Sequence, residues 1–406
     1  MLQKREPLGF SLPGSDGIII LYTGGVMKEI QSSTGTPLPG SVPGKSVTSR
    51  PAGKIEESPA SAGGDSVVLA GQFTSKNRVT PLTEGDQILA ETKKMIAGAK
   101  SSIQVEQYLF TNQEMCDLLC QEAKRGINVQ VIVDSSPAFS PEFSAKKEKV
   151  IKDLKAAGCQ VVMYPDNQQH KQINHVKLLI VDGKSMLIGG MNWNTDSFAN
   201  KDVSVRIEGP AVNYFEDTYA EDWRFAGGKS FAAPPESGEV PGGGSSVAGA
   251  HTNLFQSGIK PLILSNIQKA KESIHMEMFC LTDKDVIKGL IESHQRGVGV
   301  KVLLDATPTQ DGYIINKPAA EQLKEAGVDV RWFRREPGST RKLHAKIGVF
   351  DGQETILGSA NWTFKGLHVN READVDVRSR KVATVFEEMF QKDWEAGLKQ
   401  MPAEPG

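Results

Sequence analysis

Cysteine is scarce, and the few copies are scattered. Cys116, Cys120, Cys159 and Cys280 form no CxxC or CxxH cluster in 406 residues. That spacing offers no structural zinc site and reads as four reduced, partly buried thiols. A surplus of one charge is also missing, with 47 basic residues against 49 acidic. The balance argues against a dedicated nucleic-acid binder and leaves room only for a local basic groove. Long apolar runs are absent too. The run from Gly17 to Tyr22 is far below the about 20 residues that span a bilayer, and no secretory pattern precedes it. The expected location is cytoplasmic or peripheral to a membrane. Two stretches offer little apolar surface to bury. Residues 1–64 include the run "SSTGTPLPGSVPGKSVTSRPAG" and are expected to be disordered or extended. Residues 226–250 are rich in Gly, Pro and Ser and read as a linker.

What the chain does contain is a repeat of itself. "AKSSIQVEQYLFTN" matches "AKESIHMEMFCLTD", and "KRGINVQVIVDSSP" matches "QRGVGVKVLLDATP". Glu277 follows Glu106 at the same distance along the chain at which Asp305 follows Asp134. "LKAAGCQVVMYP" matches "LKEAGVDVRWFR", and "EDW" ending at Trp223 matches "KDW" ending at Trp394. Constant order and near-constant offset indicate a duplication. The expected halves are residues 65–225 and 251–400, with a tail at 401–406. Each reads helix, strand, helix, strand, helix, strand, hairpin, helix. Strands alternating with amphipathic helices argue for an α/β sheet in each half.

The hairpins carry the chemistry. "HVKLLIVDGKSMLIGGMN" begins at His175, and "HAKIGVFDGQETILGSAN" begins at His344, close to the offset of the other matches. Both obey His-x-Lys-x4-Asp-x6-Gly, followed by two residues and Asn. Alternation along a strand puts His175 with Lys177, and His344 with Lys346, on one face. Asp182-Gly183 and Asp351-Gly352 are hairpin-turn dipeptides. A two-residue loop at 183–184 pairs His175 with Asn192 and Lys177 with Gly190. The same register pairs His344 with Asn361 and Lys346 with Ser359. An odd-length loop would break that pairing. Two such clusters facing each other supply imidazoles, ammoniums and carboxamides, a set suited to a phosphodiester. No metal-ligand set accompanies it. Trp193 and Trp362, one residue past each Asn, are expected to pack the hairpin ends.

With its long gapped motif present twice, the chain resembles the phospholipase D superfamily over roughly residues 65–400. The resemblance implies two pseudo-symmetric α/β/α halves with the active site at their interface. It also implies a two-step route through a phosphohistidine, without metal or cofactor. By that resemblance His175 is the nucleophile and His344 the general acid and then base, with the reverse assignment still open. Lys177, Lys346, Asn192, Asn361 and Ser359 would hold phosphate, with Gly190 in the place of Ser359. Asp182 and Asp351 belong to the motif, and so to the catalytic set, although a turn-setting role suits their position better. A carboxylate to orient each His is expected elsewhere. Glu372 in "NRE" and Asp202 in "NKD" compete for it with Glu106 and Glu277. "GG" in the first motif and "GS" in the second are similar to the cardiolipin synthase-like branch, as is "PLTEGDQILAETKKMIAGAKSSIQVEQYLF". The membrane-bound synthases carry transmembrane helices that this N-terminus lacks, which leaves lipid hydrolysis or exchange open beside synthesis.

Phospholipid is the leading expected substrate, with nucleic acid as the alternative and a non-catalytic binding protein behind both. Phe139, Phe143, Tyr313, Ile314 and Ile315 would either touch acyl chains or pin their loops to the core. Arg334, Arg335, Arg341 and Lys342 precede His344 as a solvated basic loop or a guide for phosphate. His170 reads as a surface loop residue. Both motifs lie on one chain, so no protein partner is needed to complete a site.

Overall fold

The computed structural model describes residues 18–23, 26–31, 70–136, 140–229, 234–309, 311–336 and 338–402. Met1–Asp65 forms one unit and Ser66–Gly406 a second. In the first, Ile18–Thr23 pairs antiparallel with Val26–Gln31. The apolar run at the start of the expected tail is therefore a hairpin strand, and the rest of segment 1–64 lies outside the described residues.

The second unit holds the repeat. In the first half the strands lie side by side in the order Thr74–Leu82, Ser204–Glu208, Ser185–Gly189, Lys177–Val181, Ser102–Gln107, Asn128–Asp134 and Gln160–Tyr164. The second half repeats that order with Ser245–Asn253, Glu372–Arg378, Glu354–Gly358, Lys346–Phe350, Ser273–Met278, Gly299–Leu304 and Asp329–Trp332. Thr74–Leu82 and Ser245–Asn253 pair with each other and fuse the halves into one sheet. The three outermost strands of each half run parallel, and the rest pair antiparallel. Parallel strands need cover on both faces, which explains the continuous apolar run of "NVQVIVD".

The matched sequences give matched ends to the helices. Asn112 and Asp283 cap helices Gln113–Lys124 and Lys284–Gln295 by accepting amide bonds from Met115 and Val286. Gly126 and Gly297 follow those helices with φ of 90° and 91°, a left-handed stop that favours glycine. The outer helices of each half pack on their own sheet, through Ile88, Met115 and Leu154 in one and Ile263, Leu290 and Leu323 in the other. A third core belongs to both halves. Helices Ala211–Phe225 and Arg380–Ala396 bring Phe215, Trp223, Phe386 and Trp394 into it, against Ile132 and Leu303. No helix among the described residues is long and apolar enough to cross a membrane.

Three expectations need correction. The linker is shorter than 226–250, because residues 245–250 belong to strand Ser245–Asn253. At Gly249 the small residue is required by packing: a Cβ there would stand 2.2 Å from the Tyr214 ring. Each half also has two more strands than expected, one before its first helix and one after its hairpin. Finally, the hairpin loops have three residues. Val181 pairs with Ser185 and Phe350 with Glu354. Asp182, Gly183, Asp351 and Gly352 all turn through positive φ. Extending the register one step past Leu178↔Ile188 sets Lys177 opposite Gly189, not Gly190.

Candidate active site

The motif groups still converge, because His175, Asn192, His344 and Asn361 lie beyond the hairpin ladders, where strand parity no longer governs them. Their placement comes from the other half of the molecule. The His175 amide donates to the Arg371 carbonyl at 2.8 Å, and the Arg371 amide to Ile173 at 2.9 Å. The His344 amide donates to the Lys201 carbonyl at 2.7 Å, and the Lys201 amide to Lys342 at 2.9 Å. Each His segment is thus bridged to the segment that carries the opposite half's carboxylate.

The side chains repeat the crossing. His175 Nδ1 lies 2.9 Å from Glu372 Oε2, and His344 Nδ1 lies 2.7 Å from Asp202 Oδ2. A carboxylate can only accept, so each Nδ1 carries the proton and each Nε2 is left without it. Glu372 and Asp202 are therefore the orienting carboxylates, and each serves the histidine of the other half.

Lys177 Nζ donates to the His175 carbonyl and sits over the Tyr108 ring, 5.2 Å from its centroid. Lys346 Nζ does the same with the His344 carbonyl and Phe279, at 5.1 Å. Burial pulls both ammonium pKa values down, Lys177 furthest, while Asp202 and Glu372 oppose it. Burial also lowers His175, against the pull of Glu372. It takes His344 to about 4, helped by Lys346 and opposed by Asp202. Each histidine feels the lysine of the other half, so the four groups form one buried electrostatic cluster. An oxyanion placed among them would relieve both penalties. The Oδ1 atoms of Asn192 and Asn361 are buried without a partner.

Gly190 and Ser359 are solutions to different carboxylates. Ser359 Oγ donates to Glu372 Oε2 at 2.7 Å. A Cβ at Gly190 would stand 2.3 Å from Asp202 Oδ1, so no side chain fits beside the shorter acid. Gly189 is equally constrained, with Ser204 Oγ 2.1 Å from its notional Cβ. The double glycine is the imprint of Asp202 and Ser204.

Asp182 and Asp351 are not in the cluster. They sit at the far ends of strands Lys177–Val181 and Lys346–Phe350. Asp182 Oδ1 accepts the amides of Ser101 and Ser102 at 2.7 and 3.0 Å, and Asp351 Oδ1 those of Glu272 and Ser273 at 2.8 and 3.0 Å. These bonds hold both carboxyl groups below the usual range despite burial. The motif Asp ties a hairpin tip to the start of a neighbouring strand.

Glu106 and Glu277 do not orient a histidine either. Glu106 Oε1 accepts from Asn174 at 2.6 Å, and its carboxyl is driven up by burial and by Asp222. Arg371, fully buried, donates to Asp222 at 2.8 Å. On the other side Glu277 is driven up by burial and by Asp393, while Lys201 pairs with Asp393 at 2.9 Å and Glu84 at 2.7 Å. Asp134 and Asp305 accept the amides of Asn174 and Leu343, the residues just before each His. Arg371, Lys201, Asp222 and Asp393 were absent from the sequence-based set. The repeated "EDW" and "KDW" and the cation in "NRE" and "NKD" were the available signals.

The remaining residues fall as follows. Trp193 and Trp362 are buried and accept paired amides through their carbonyls at the hairpin ends. Ile314 is buried, Phe143 and Ile315 are half-buried, and Phe139 lies outside the described residues. Arg341 pairs with Glu84 at 2.6 Å, and Arg334 is exposed. The four cysteines are free and buried.

A duplicated α/β fold with two His–Lys pairs crossed onto two carboxylates defines a two-motif architecture. The family described as "Cardiolipin synthase, PLD-like domain" matches residues 92–223 and again 263–394, and the chain belongs to that family. A cardiolipin synthase of Halalkalibacterium halodurans is 25% identical over 80% of this chain and 67% of its own length. Cardiolipin synthase 2 of Bacillus anthracis is 26% identical over 72% of this chain and 60% of its own. The chain therefore spans about two thirds or less of these relatives. The crystal structure of Haemophilus influenzae phosphatidylserine synthase shares the fold, with a TM-score of 0.63 at 13% identity over 82% of this chain and 90% of that one.

Proposed function

We propose that this chain is a phosphodiesterase or phosphatidyltransferase acting on phospholipids through a phosphohistidine. The observation that carries this reading is the crossed pairing of His175 with Glu372 and His344 with Asp202 around two buried lysines. His175 Nε2 attacks phosphorus, and the bond to the leaving alcohol breaks as His344, which takes up a second proton on Nε2 when the anionic phosphodiester sits beside it, gives that proton to the leaving oxygen. His344, now neutral, takes the proton of an incoming alcohol or water, whose oxygen attacks phosphorus and breaks the P–N bond. Lys177 and Lys346 balance charge on the phosphoryl oxygens, and Asn192, Asn361 and Ser359 complete the phosphate pocket. The kinship with cardiolipin synthases and with the phosphatidylserine synthase fold supports phospholipid over nucleic acid as substrate.

The reading is tested with purified protein in chelator, given phosphatidylglycerol vesicles with and without an added alcohol, and separately DNA. Lipid turnover is expected, with a phosphoryl adduct mapped to His175 by mass spectrometry of the wild type acid-quenched during turnover. His175→Ala and His344→Ala should each lose at least about 10³-fold in turnover. DNA cleavage without lipid turnover would overturn the substrate, and an adduct confined to His344 would reverse the two roles.

A further inference from the structure

Four large apolar side chains stand exposed among the described residues, and two of them edge the site. Phe255 is 58% exposed and Phe364 55%. Both lean on His368. Phe364 stacks on its ring with centroids 5.0 Å apart, and the Phe255 amide donates to its carbonyl. Phe255 also meets the His170 ring edge-on at 5.2 Å. The ridge is tied to the site through Asn370, whose amide donates to the Lys365 carbonyl at 2.8 Å and whose side chain donates at 3.2 Å to Glu372, the carboxylate that holds His175. Beside it a groove of about 690 Å³ runs between the 165–172 loop and Asn253-Leu254 to Phe225, itself 62% exposed.

The duplication supplies an internal control. Phe255 follows strand Ser245–Asn253 as Glu84 follows strand Thr74–Leu82, at the offset that also relates Glu277 to Glu106. Glu84 is tied down, at 2.7 Å from Lys201 and 2.6 Å from Arg341. At the offset that relates the two motif histidines, the counterpart of Arg341 is the uncharged Gln172. One side of the pseudo-symmetric mouth is thus edged by ion pairs, while the other presents aromatic rings to water. The fold does not require an aromatic residue there, since its twin does without one. Exposed lysines flank the rings, Lys171 next to His170 and Lys365 next to Phe364. The nearby acids are Asp166 on the groove wall and Asp283 and Asp285, both held by Lys260 at 3.0 and 2.7 Å. Aromatic rings interleaved with exposed lysines match an anionic lipid interface, where the rings enter the headgroup–acyl boundary and the ammoniums meet phosphate.

We propose that the Phe255–Phe364 ridge, with Lys171 and Lys365, docks the mouth of the site onto the surface of an anionic phospholipid bilayer. This rests on the phospholipid reading above and names the surface that delivers the substrate. The test is co-sedimentation of the full chain with phosphatidylglycerol vesicles or phosphatidylcholine vesicles. It is run alongside turnover of a short-chain phosphatidylglycerol dissolved as monomers. The wild type should bind phosphatidylglycerol vesicles in preference to phosphatidylcholine. Phe255→Ser with Phe364→Ser should weaken vesicle binding at least about tenfold. Lys171→Gln with Lys365→Gln should abolish the preference for the anionic vesicle. Both variants should keep the wild-type melting temperature and monomer turnover. Undiminished vesicle binding by the aromatic variant, or no vesicle binding by the wild type, overturns the proposal. Absence of monomer turnover in the wild type would instead sink the functional reading, with vesicle binding still deciding the ridge.

Discussion

At the scale of single residues, the two halves of the cluster are built to the same plan with different parts. Glu372 reaches His175 with help from Ser359, while the shorter Asp202 reaches His344 across the space left by Gly190. Gly190→Ser would therefore not repair a missing serine. Its Cβ lands on Asp202 and displaces the partner of His344. The expected outcome is a loss of about 1–3 kcal/mol in a denaturant titration, together with a fall in kcat. Ser359 Oγ also accepts the Ala373 amide, so Ser359→Ala should cost about 2–3 kcal/mol, for two hydrogen bonds of which one is to a charged group. The imidazoles also predict a pH dependence. His344 titrates near 4 in the fold, while an unfolded chain binds its proton near about 6.5. Between those values the unfolded state holds more protons, so stability falls as pH drops from about 6.5 toward 4. Thermal melts across that window should show the slope, and His344→Gln should reduce it, leaving the share of His175 and His251, which burial lowers in the same sense.

At the scale of elements, the motif Asp is a fastener. Asp182 and Asp351 receive backbone amides from the segments that begin the next strands, Ser102–Gln107 and Ser273–Met278. Asp182→Ala and Asp351→Ala should each lower stability by about 1.5–3 kcal/mol, the range for hydrogen bonds to a charged group. The folded protein should keep its kcat. A collapse of kcat with unchanged stability would contradict this placement. Both carboxyl groups are held low in the fold, so their contribution is complete above about pH 4 and is lost as pH falls through the folded pKa. The three-residue loop belongs to this scale too. Asp-Gly signals a turn, but the number of residues in the loop depends on which amides the Asp carboxylate captures, and those come from a strand 80 residues away.

At the scale of the whole molecule, the halves interlock through buried charge. Arg371, from the second half, pairs with Asp222 on the last helix of the first, and Lys201, from the first half, pairs with Asp393 on the last helix of the second. Each cation directly precedes the carboxylate that orients a histidine. Arg371→Ala should leave Asp222 buried without its partner at a cost of about 3–5 kcal/mol. It should also lower kcat by releasing Glu372 from His175. A double-mutant cycle with Asp222→Ala checks the pairing, since the double variant should lose less than the sum of the single ones.

The duplication, the α/β character of each half and the list of histidines, lysines and asparagines were legible in the chain, because each depends on local periodicity or on a motif repeated at a fixed offset. The fusing strand Ser245–Asn253 was not, since close packing at the junction of the halves demands small residues that read as loop. The hairpin register was misread for the reason given above, and the site survived because its ends escape the ladder. The choice among Glu106, Glu277, Asp202 and Glu372 lay beyond the sequence. All four are near a motif in one half or the other, and only the fold decides which reaches a histidine. From the order of residues alone it follows that two equivalent sets of groups exist. That each histidine takes its carboxylate from the other half follows only from the folded arrangement, because a contact between groups 197 residues apart is set by how the two halves meet.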